Sequence, residues 1–182
     1  MLTRFGEIDF SNSRSAFAYT LRLAEGALDL SWHHCGTTSE FLGEIFALRI
    51  ATARFDYNEA RHSIGYLVNE LLENAVKFRS PGDIVIESSF DGGLFEIRVT
   101  NLIGEETATR FKGMLAGITS RDPGEMLIER IEANAAGASP GGSGLGLLTL
   151  MSDYGVRLGW TFDPRADVNA TRLQTYAALK LS

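Results

Sequence analysis

Apolar residues recur at three- and four-residue spacing along one stretch near the middle of the chain. They are Ile64, Leu67, Val68, Leu71, Leu72 and Ala75. This spacing places them on one face of an amphipathic helix. Asp56 and Glu59 form a capping-box pattern at its start, and the run 79–82, which contains Pro81, stops it. The pattern therefore predicts a helix over residues 57–78.

Shorter runs with alternating apolar and polar residues predict strands on both sides of this helix. Two of them, 83–90 and 94–101, flank the turn Asp91-Gly92-Gly93 and predict an antiparallel hairpin. The other predicted strands are 5–10, 16–23, 27–32, 156–162 and 171–181. The other predicted helices are 39–54, 105–116, 123–136 and 147–154. This mixture indicates an α+β fold, a two-layer sandwich rather than a doubly wound parallel sheet.

Composition narrows the protein class. The 182 residues are 45% hydrophobic and 22% charged, which is typical of one globular domain. The net charge of -6, with no Lys/Arg cluster, argues against nucleic-acid binding. Cys35 is the only cysteine, which excludes an intramolecular disulfide and fits a reducing compartment. No apolar run reaches the roughly 18 residues of a membrane span and no signal peptide is apparent, so we expect a cytoplasmic protein without membrane contact.

A narrow polar stripe runs beside the apolar face of the long helix. Glu70, Asn74 and Lys77 are spaced four and three residues apart, so they share one side of the helix. An Asn amide oxygen is a ligand for Mg²⁺, a Glu can act as a general base, and a Lys can neutralise phosphate. An ordinary solvated helix face would give the same spacing.

A glycine-rich loop precedes the helix predicted at 147–154. Gly142, Gly144 and Gly146 alternate there, which lets the backbone approach a ligand closely, and the start of the following helix favours an anion. The spacing matches neither a Walker A loop nor a dinucleotide fingerprint. A flexible connection between two helices is the alternative.

Together the two segments resemble the GHKL class of ATPases (gyrase, heat-shock chaperone, histidine kinase, MutL). That class combines a helix motif E-x-x-x-N-A, here Glu70 to Ala75, with a later G-x-G-L-G-L, here Gly142 to Leu147. The resemblance implies a single domain over 1–182 with a mixed, largely antiparallel sheet covered by helices on one face. The nucleotide-site core would span 57–163, the closing strand 164–182, and residues 1–56 are the least clearly patterned part.

The resemblance also implies roles for individual residues. Glu70 would be the catalytic base and Asn74 the Mg²⁺ ligand. The nucleotide-binding residues would be Asn74, Lys77, Asn101, Gly142, Ser143, Gly144, Leu145 and Gly146. The class usually has D-x-G-x-G after the second hairpin strand, and its Asp recognises adenine. Here Asn101 stands at that position and only Gly104 follows, so an uncharged acceptor replaces the carboxylate.

Size and motif details are similar to the stand-alone regulators of bacterial partner-switching systems, which include protein kinases of the SiaB type. The pattern is Asn69 to Ala75, Ser143 to Thr149, Asp153-Tyr154-Gly155 and Gly159-Trp160. This resemblance implies ATP and Mg²⁺ as cofactors, a STAS-domain antagonist and a PP2C-type phosphatase as protein partners, and it leaves a homodimer open.

Two functions follow from the resemblance. One is an ATP-dependent Ser/Thr protein kinase or anti-sigma-like regulator, which the polar stripe and the glycine run favour. The other is a catalytically degenerate binding module that sequesters a partner without ATP turnover, which Asn101 favours.

Overall fold

The structure is a computed structural model, and it describes residues 1–7, 17–25, 32–50, 56–136, 144–167 and 169–181. Its strands are β1 (Thr3–Gly6), β2 (Ala18–Leu23), β3 (Ile84–Asp91), β4 (Leu94–Ile103), β5 (Arg157–Arg165) and β6 (Ala170–Lys180). Its helices are α1 (Trp32–Ile50), α2 (Tyr57–Phe78), α3 (Glu105–Ile118), α4 (Pro123–Ala135) and α5 (Leu145–Ser152).

The six strands form one sheet in the order β1-β5-β6-β4-β3-β2. Every pairing between these strands is antiparallel, so the sheet is not mixed within the described part of the chain. The predicted hairpin is present, with Asp91 paired to Leu94 across Gly92 and Gly93. Both glycines have positive φ, 56° and 85°, which is the conformation that a tight turn between twisted strands requires.

One face of the sheet is covered by helices and the other is polar. Phe95, Ile97 and Val99 of β4 are buried in the core that α2 shares. On the opposite face, Gln174 joins neighbouring strands: its Oε1 accepts from Thr161 at 3.1 Å and its Nε2 donates to Thr100 at 3.4 Å. A two-layer sandwich follows, because the large side chains of the sheet that are fully buried, such as Phe95 and Trp160, lie on the helix-covered face.

Helix α1 is fixed to the sheet and to α2 by close contacts. Phe46 makes edge-to-face contacts with Phe17, Tyr19 and Phe95, at ring-centroid distances of 5.2, 5.6 and 4.8 Å. Gly43 lies so close to α2 that a Cβ there would be 2.8 Å from the carbonyl oxygen of Arg61. This approach brings α1 and α2 together as one layer.

The structure corrects two predicted elements near the N-terminus. Helix α1 begins at Trp32, so the helix start predicted at residue 39 is wrong. Trp32 was predicted to end a strand over residues 27–32 but is helical, and residues 27–31 lie outside the described part. Strand β1 ends at Gly6, and residues 8–10 of the predicted strand 5–10 also lie outside it. Trp160 and Phe162 of β5 are fully buried, as their aromatic character in a strand predicts.

A smaller apolar cluster joins α3, α4 and α5. It is formed by Ile118, Met126 and Leu148, with Met114, Leu127 and Met151 packed against it. This cluster positions α5, the helix that follows the glycine run. None of the helices in the described ranges is long and apolar enough to cross a lipid bilayer.

Candidate functional site

Helix α2 supplies the polar stripe from a rigid position. Its N-terminus is capped by Asp56, whose side chain accepts a hydrogen bond from the Glu59 N–H at 2.8 Å. The apolar stripe predicted from the sequence is buried along its whole length, from Ile64 to Ala75. Glu70 and Asn74 are half-buried beside that stripe, whereas Lys77 is exposed.

Helix α5 begins at the glycine run. Gly144 is the residue before its first turn and has a φ of 58°, in the left-handed region that favours glycine. Leu145 and Gly146 open the helix, and the backbone N–H groups at the start of a helix are suited to an anion. Gly142 and Ser143 lie outside the described residues.

The two motifs meet at Glu70 and Gly146. A Cβ added to Gly146 would lie 1.7 Å from Oε2 of Glu70 and 2.6 Å from its carboxyl carbon. The Glu70 carboxylate therefore occupies the space that any larger residue at 146 would fill. Glycine at this position lets the carboxylate lie against the backbone at the start of α5.

The surroundings of Glu70 change its acidity. Burial raises the pKa of the Glu70 carboxyl above its ordinary value, and the nearby charge of Glu73 adds to the rise. A hydrogen bond with Tyr66 opposes both effects and lowers the pKa. A half-buried carboxylate with a raised pKa is a better proton acceptor than an exposed one, which suits a general base.

Asn74 has the chemistry expected of a Mg²⁺ ligand. Its Nδ2 donates to the main-chain oxygen of Glu70 at 2.8 Å, which fixes the amide plane on the helix. The remaining amide atom, Oδ1, is the neutral oxygen that a hard cation accepts as a ligand. The chemistry of the Asn74 side chain therefore fits a ligand of Mg²⁺.

The side chains of Lys77 and Asn101 each contact the next residue in the chain. The Nζ of Lys77 lies 5.2 Å from the ring centroid of Phe78, a cation–π contact at the exposed end of α2. Asn101 lies within β4 rather than after it, is only 3% exposed, and donates from Nδ2 to the carbonyl of Leu102 at 3.3 Å. Its amide is therefore partly engaged by its own strand.

The structure places Tyr66, which lies outside the sequence motifs, near Glu70 and near Thr149 and Tyr154, to which the motifs gave no role. Tyr66 is half-buried, and burial, followed by the nearby charge of Glu70, raises the pKa of its hydroxyl. Its ring stacks on Tyr154, with centroids 5.0 Å apart and an interplanar angle of 22°. Tyr66 precedes Glu70 by one helical turn, and this spacing is the one sequence signal that could have indicated it.

A groove of about 330 Å³ opens between α1 and α2. It is lined by Ser39, Glu40, Asn58, Arg61, His62, Gly65, Tyr66 and Asn69. Glu70, Asn74 and Gly146 are not among its lining residues, so this groove is separate from the contact between the two motifs. Asn69, one of the lining residues, is half-buried, and its Nδ2 donates to Glu73 at 2.8 Å.

No family model matches this chain, and no curated protein matches it. Among solved structures, it is similar to a chain in the crystal structure of the SiaB–SiaC complex from Pseudomonas aeruginosa. The TM-score is 0.61 at 12% sequence identity, and the match covers 87% of this chain and 89% of that chain. At this identity the likeness concerns the fold. It confirms the predicted α+β sandwich and the expected similarity of fold to a chain of this complex.

Proposed function

We propose that this protein is a cytoplasmic regulator of a partner-switching system that binds ATP with Mg²⁺ and phosphorylates a Ser or Thr of a STAS-domain partner. A PP2C-type phosphatase would reverse the modification. The contact between Glu70 and the start of α5 at Gly146 is the observation that carries this proposal. It joins a base candidate to a backbone suited to phosphate, and the fold similarity to a chain of the SiaB–SiaC complex supports a protein partner.

In this proposal each residue has a defined role. The N–H groups at the start of α5 bind phosphate oxygens, and Asn74 Oδ1 ligates the Mg²⁺, which when bound neutralises phosphate charge. Glu70 takes the proton of the acceptor hydroxyl as that oxygen forms its bond to the γ-phosphorus, and ADP leaves. Burial of Glu70 supports this role because it favours the protonated product of the transfer.

The first test is calorimetric titration with ATP and Mg²⁺. We expect the unmodified protein to bind and Asn74→Ala to lose most of its affinity, because the amide oxygen ligand is gone. Asn69→Ala is the matched control: it removes the same side chain from the same helix, where Asn69 contacts Glu73 instead. Equal affinity in all three proteins would overturn the assignment of Asn74.

The second candidate function is a binding module that sequesters its partner without ATP turnover. The burial of Asn101 and its hydrogen bond to Leu102 favour it, because the adenine-recognising position is partly engaged within β4. Phosphoryl transfer from γ-labelled ATP to purified STAS domains separates the two candidates. Transfer that Glu70→Gln abolishes supports the kinase, whereas tight partner binding without ATP and without transfer supports the module.

A further inference from the structure

Helix α4 presents its two isoleucines to solvent. Ile128 is 61% exposed and Ile131 is 52% exposed, and Ala135, one turn further on, is also exposed. Their spacing of three and four residues places them in one apolar stripe on one side of the helix. On the opposite side, Met126 is buried in one cluster with Leu148 of α5. Helix α4 therefore has apolar side chains on both sides, whereas a helix with one packed side normally exposes polar residues on the other.

Glutamates follow one edge of the isoleucine stripe. Glu125 and Glu132 are exposed and lie three residues before and four residues after Ile128, so both are beside it and about 10 Å from each other along the helix. Neither makes an ion pair within the described part of the chain, whereas Glu129 is paired with Arg121 at 2.9 Å. Two carboxylates beside the stripe are thus available to the cations of a partner.

The charge of this edge decides between the occupants that an apolar stripe could have. An anionic lipid surface and a nucleic acid would both be repelled by the two carboxylates. A second copy is also disfavoured, because a two-fold axis that pairs two α4 helices antiparallel brings the same edge of both together, so glutamates would face glutamates. A protein segment that is both apolar and basic matches the stripe and its edge.

We propose that Ile128, Ile131 and Ala135, with Glu125 and Glu132 beside them, form a docking face for an amphipathic helix of a protein partner. The apolar side of that helix covers the stripe, and its lysines or arginines, seven residues apart, pair with the glutamates. Because α4 packs on α5, the docked partner is held beside the helix that follows the glycine run. This face goes beyond the proposed function, since docking needs neither ATP nor Mg²⁺.

Two synthetic helical peptides test the docking face. Both have leucines along one side; the first has lysines seven residues apart beside the leucines, and the second has glutamates at the same positions. We expect nitrogen-15 NMR of the full chain without nucleotide to show binding of the lysine peptide, with shifted amide signals centred on α4. This affinity should fall as salt is added, because salt screens exposed charge pairs. Binding of neither peptide, or of both equally, would overturn the proposal.

Substitution of the isoleucines tests the apolar stripe. Ile128→Gln/Ile131→Gln should lower the affinity for the lysine peptide at least about tenfold, because the apolar contact is lost. Leu48→Gln on α1 is the matched control, since Leu48 is 57% exposed, and it should leave the affinity unchanged. Sedimentation velocity of the protein alone tests the other occupant. A dimer that becomes monomeric in Ile128→Gln/Ile131→Gln would show that a second copy covers the stripe and would overturn the proposal.

Charge reversal tests the edge. Glu125→Lys/Glu132→Lys should bind the glutamate peptide in preference to the lysine peptide. Glu40→Lys/Glu106→Lys changes the net charge equally at exposed positions of α1 and α3, and it should keep the original preference. The same shift of preference in both double variants would mean that the peptides respond to net charge alone, and the α4 docking face would be refuted.

Discussion

Gly146→Ala directly tests the contact between the two motifs. The added methyl group would overlap the Glu70 carboxylate, with Oε2 at 1.7 Å and the carboxyl carbon at 2.6 Å, so the Glu70 side chain must move away from the start of α5. Overpacking of this kind costs about 1–3 kcal/mol. Alanine in a helix recovers up to about 1 kcal/mol relative to glycine. With the full helix gain subtracted, the net loss in the free energy of unfolding is about 0–2 kcal/mol, or a decrease in Tm of up to about 8 °C.

A double-mutant cycle isolates this contact from the general effect of a glycine substitution. In a Glu70→Ala background the methyl group has room, so Gly146→Ala should become neutral or stabilising, with a coupling energy of at least about 1 kcal/mol. Gly113→Ala in α3 is the control, because no atom lies within 4 Å of its added Cβ, and it should stabilise by up to about 1 kcal/mol. Urea unfolding of each variant measures the free energies of unfolding from which the coupling energy is calculated. An equal effect of Gly146→Ala in both backgrounds would refute the contact.

Three further predictions concern packing, pH and thiol chemistry. Gly43→Ala should lower Tm, because its Cβ would lie 2.8 Å from the Arg61 carbonyl oxygen. Gly36→Ala in the same helix is the control and should raise Tm, because its Cβ has no atom within 4 Å. Equal changes in Tm would refute the close approach of α1 and α2. Because the Glu70 pKa is raised on folding, its carboxyl stabilises the folded state more when protonated, and this advantage is lost as pH rises through the folded pKa. In urea titrations, the free energy of unfolding of Glu70→Gln should therefore rise relative to that of the unmodified protein as the pH increases from about 4 to about 7. A difference that does not change with pH would contradict the raised Glu70 pKa. Cys35 is fully buried, and burial raises the pKa of its thiol. A thiol reagent should therefore label Cys35 only at the rate of unfolding. Rapid labelling of the native protein would contradict this burial.

The sequence alone determined the elements whose signals are local. Helix α2 has the predicted bounds because its cap, its periodic apolar stripe and its stop all lie within one segment. The hairpin β3–β4 is equally local, since its turn lies between its two strands. Buried aromatic residues in β5 also follow from their own strand. These features depend on neighbours in the chain, which a sequence displays directly.

Helix α1 shows where local signals were insufficient. Its first turns contain Gly36, Thr37 and Thr38, which are poor helix formers. Helix propensity alone therefore predicts a start of α1 that is too late in the chain. Cys35 is nevertheless fully buried in the main core, together with Leu42 and Phe46 of the same helix. Burial of this face stabilises the extra turns, and that burial exists only once the helix packs against the rest of the domain.

The candidate site also has a part that the sequence predicts and a part that only the tertiary structure shows. The sequence motifs identified Glu70, Asn74 and the glycine run, but the assigned roles in nucleotide binding remain predictions. Only the tertiary structure brought Glu70 against Gly146 and stacked the ring of Tyr66 on Tyr154, just beyond the end of α5. These residues lie on helices that are far apart in the chain. Their contacts depend on how α5 packs against α2, and no local periodicity encodes that packing.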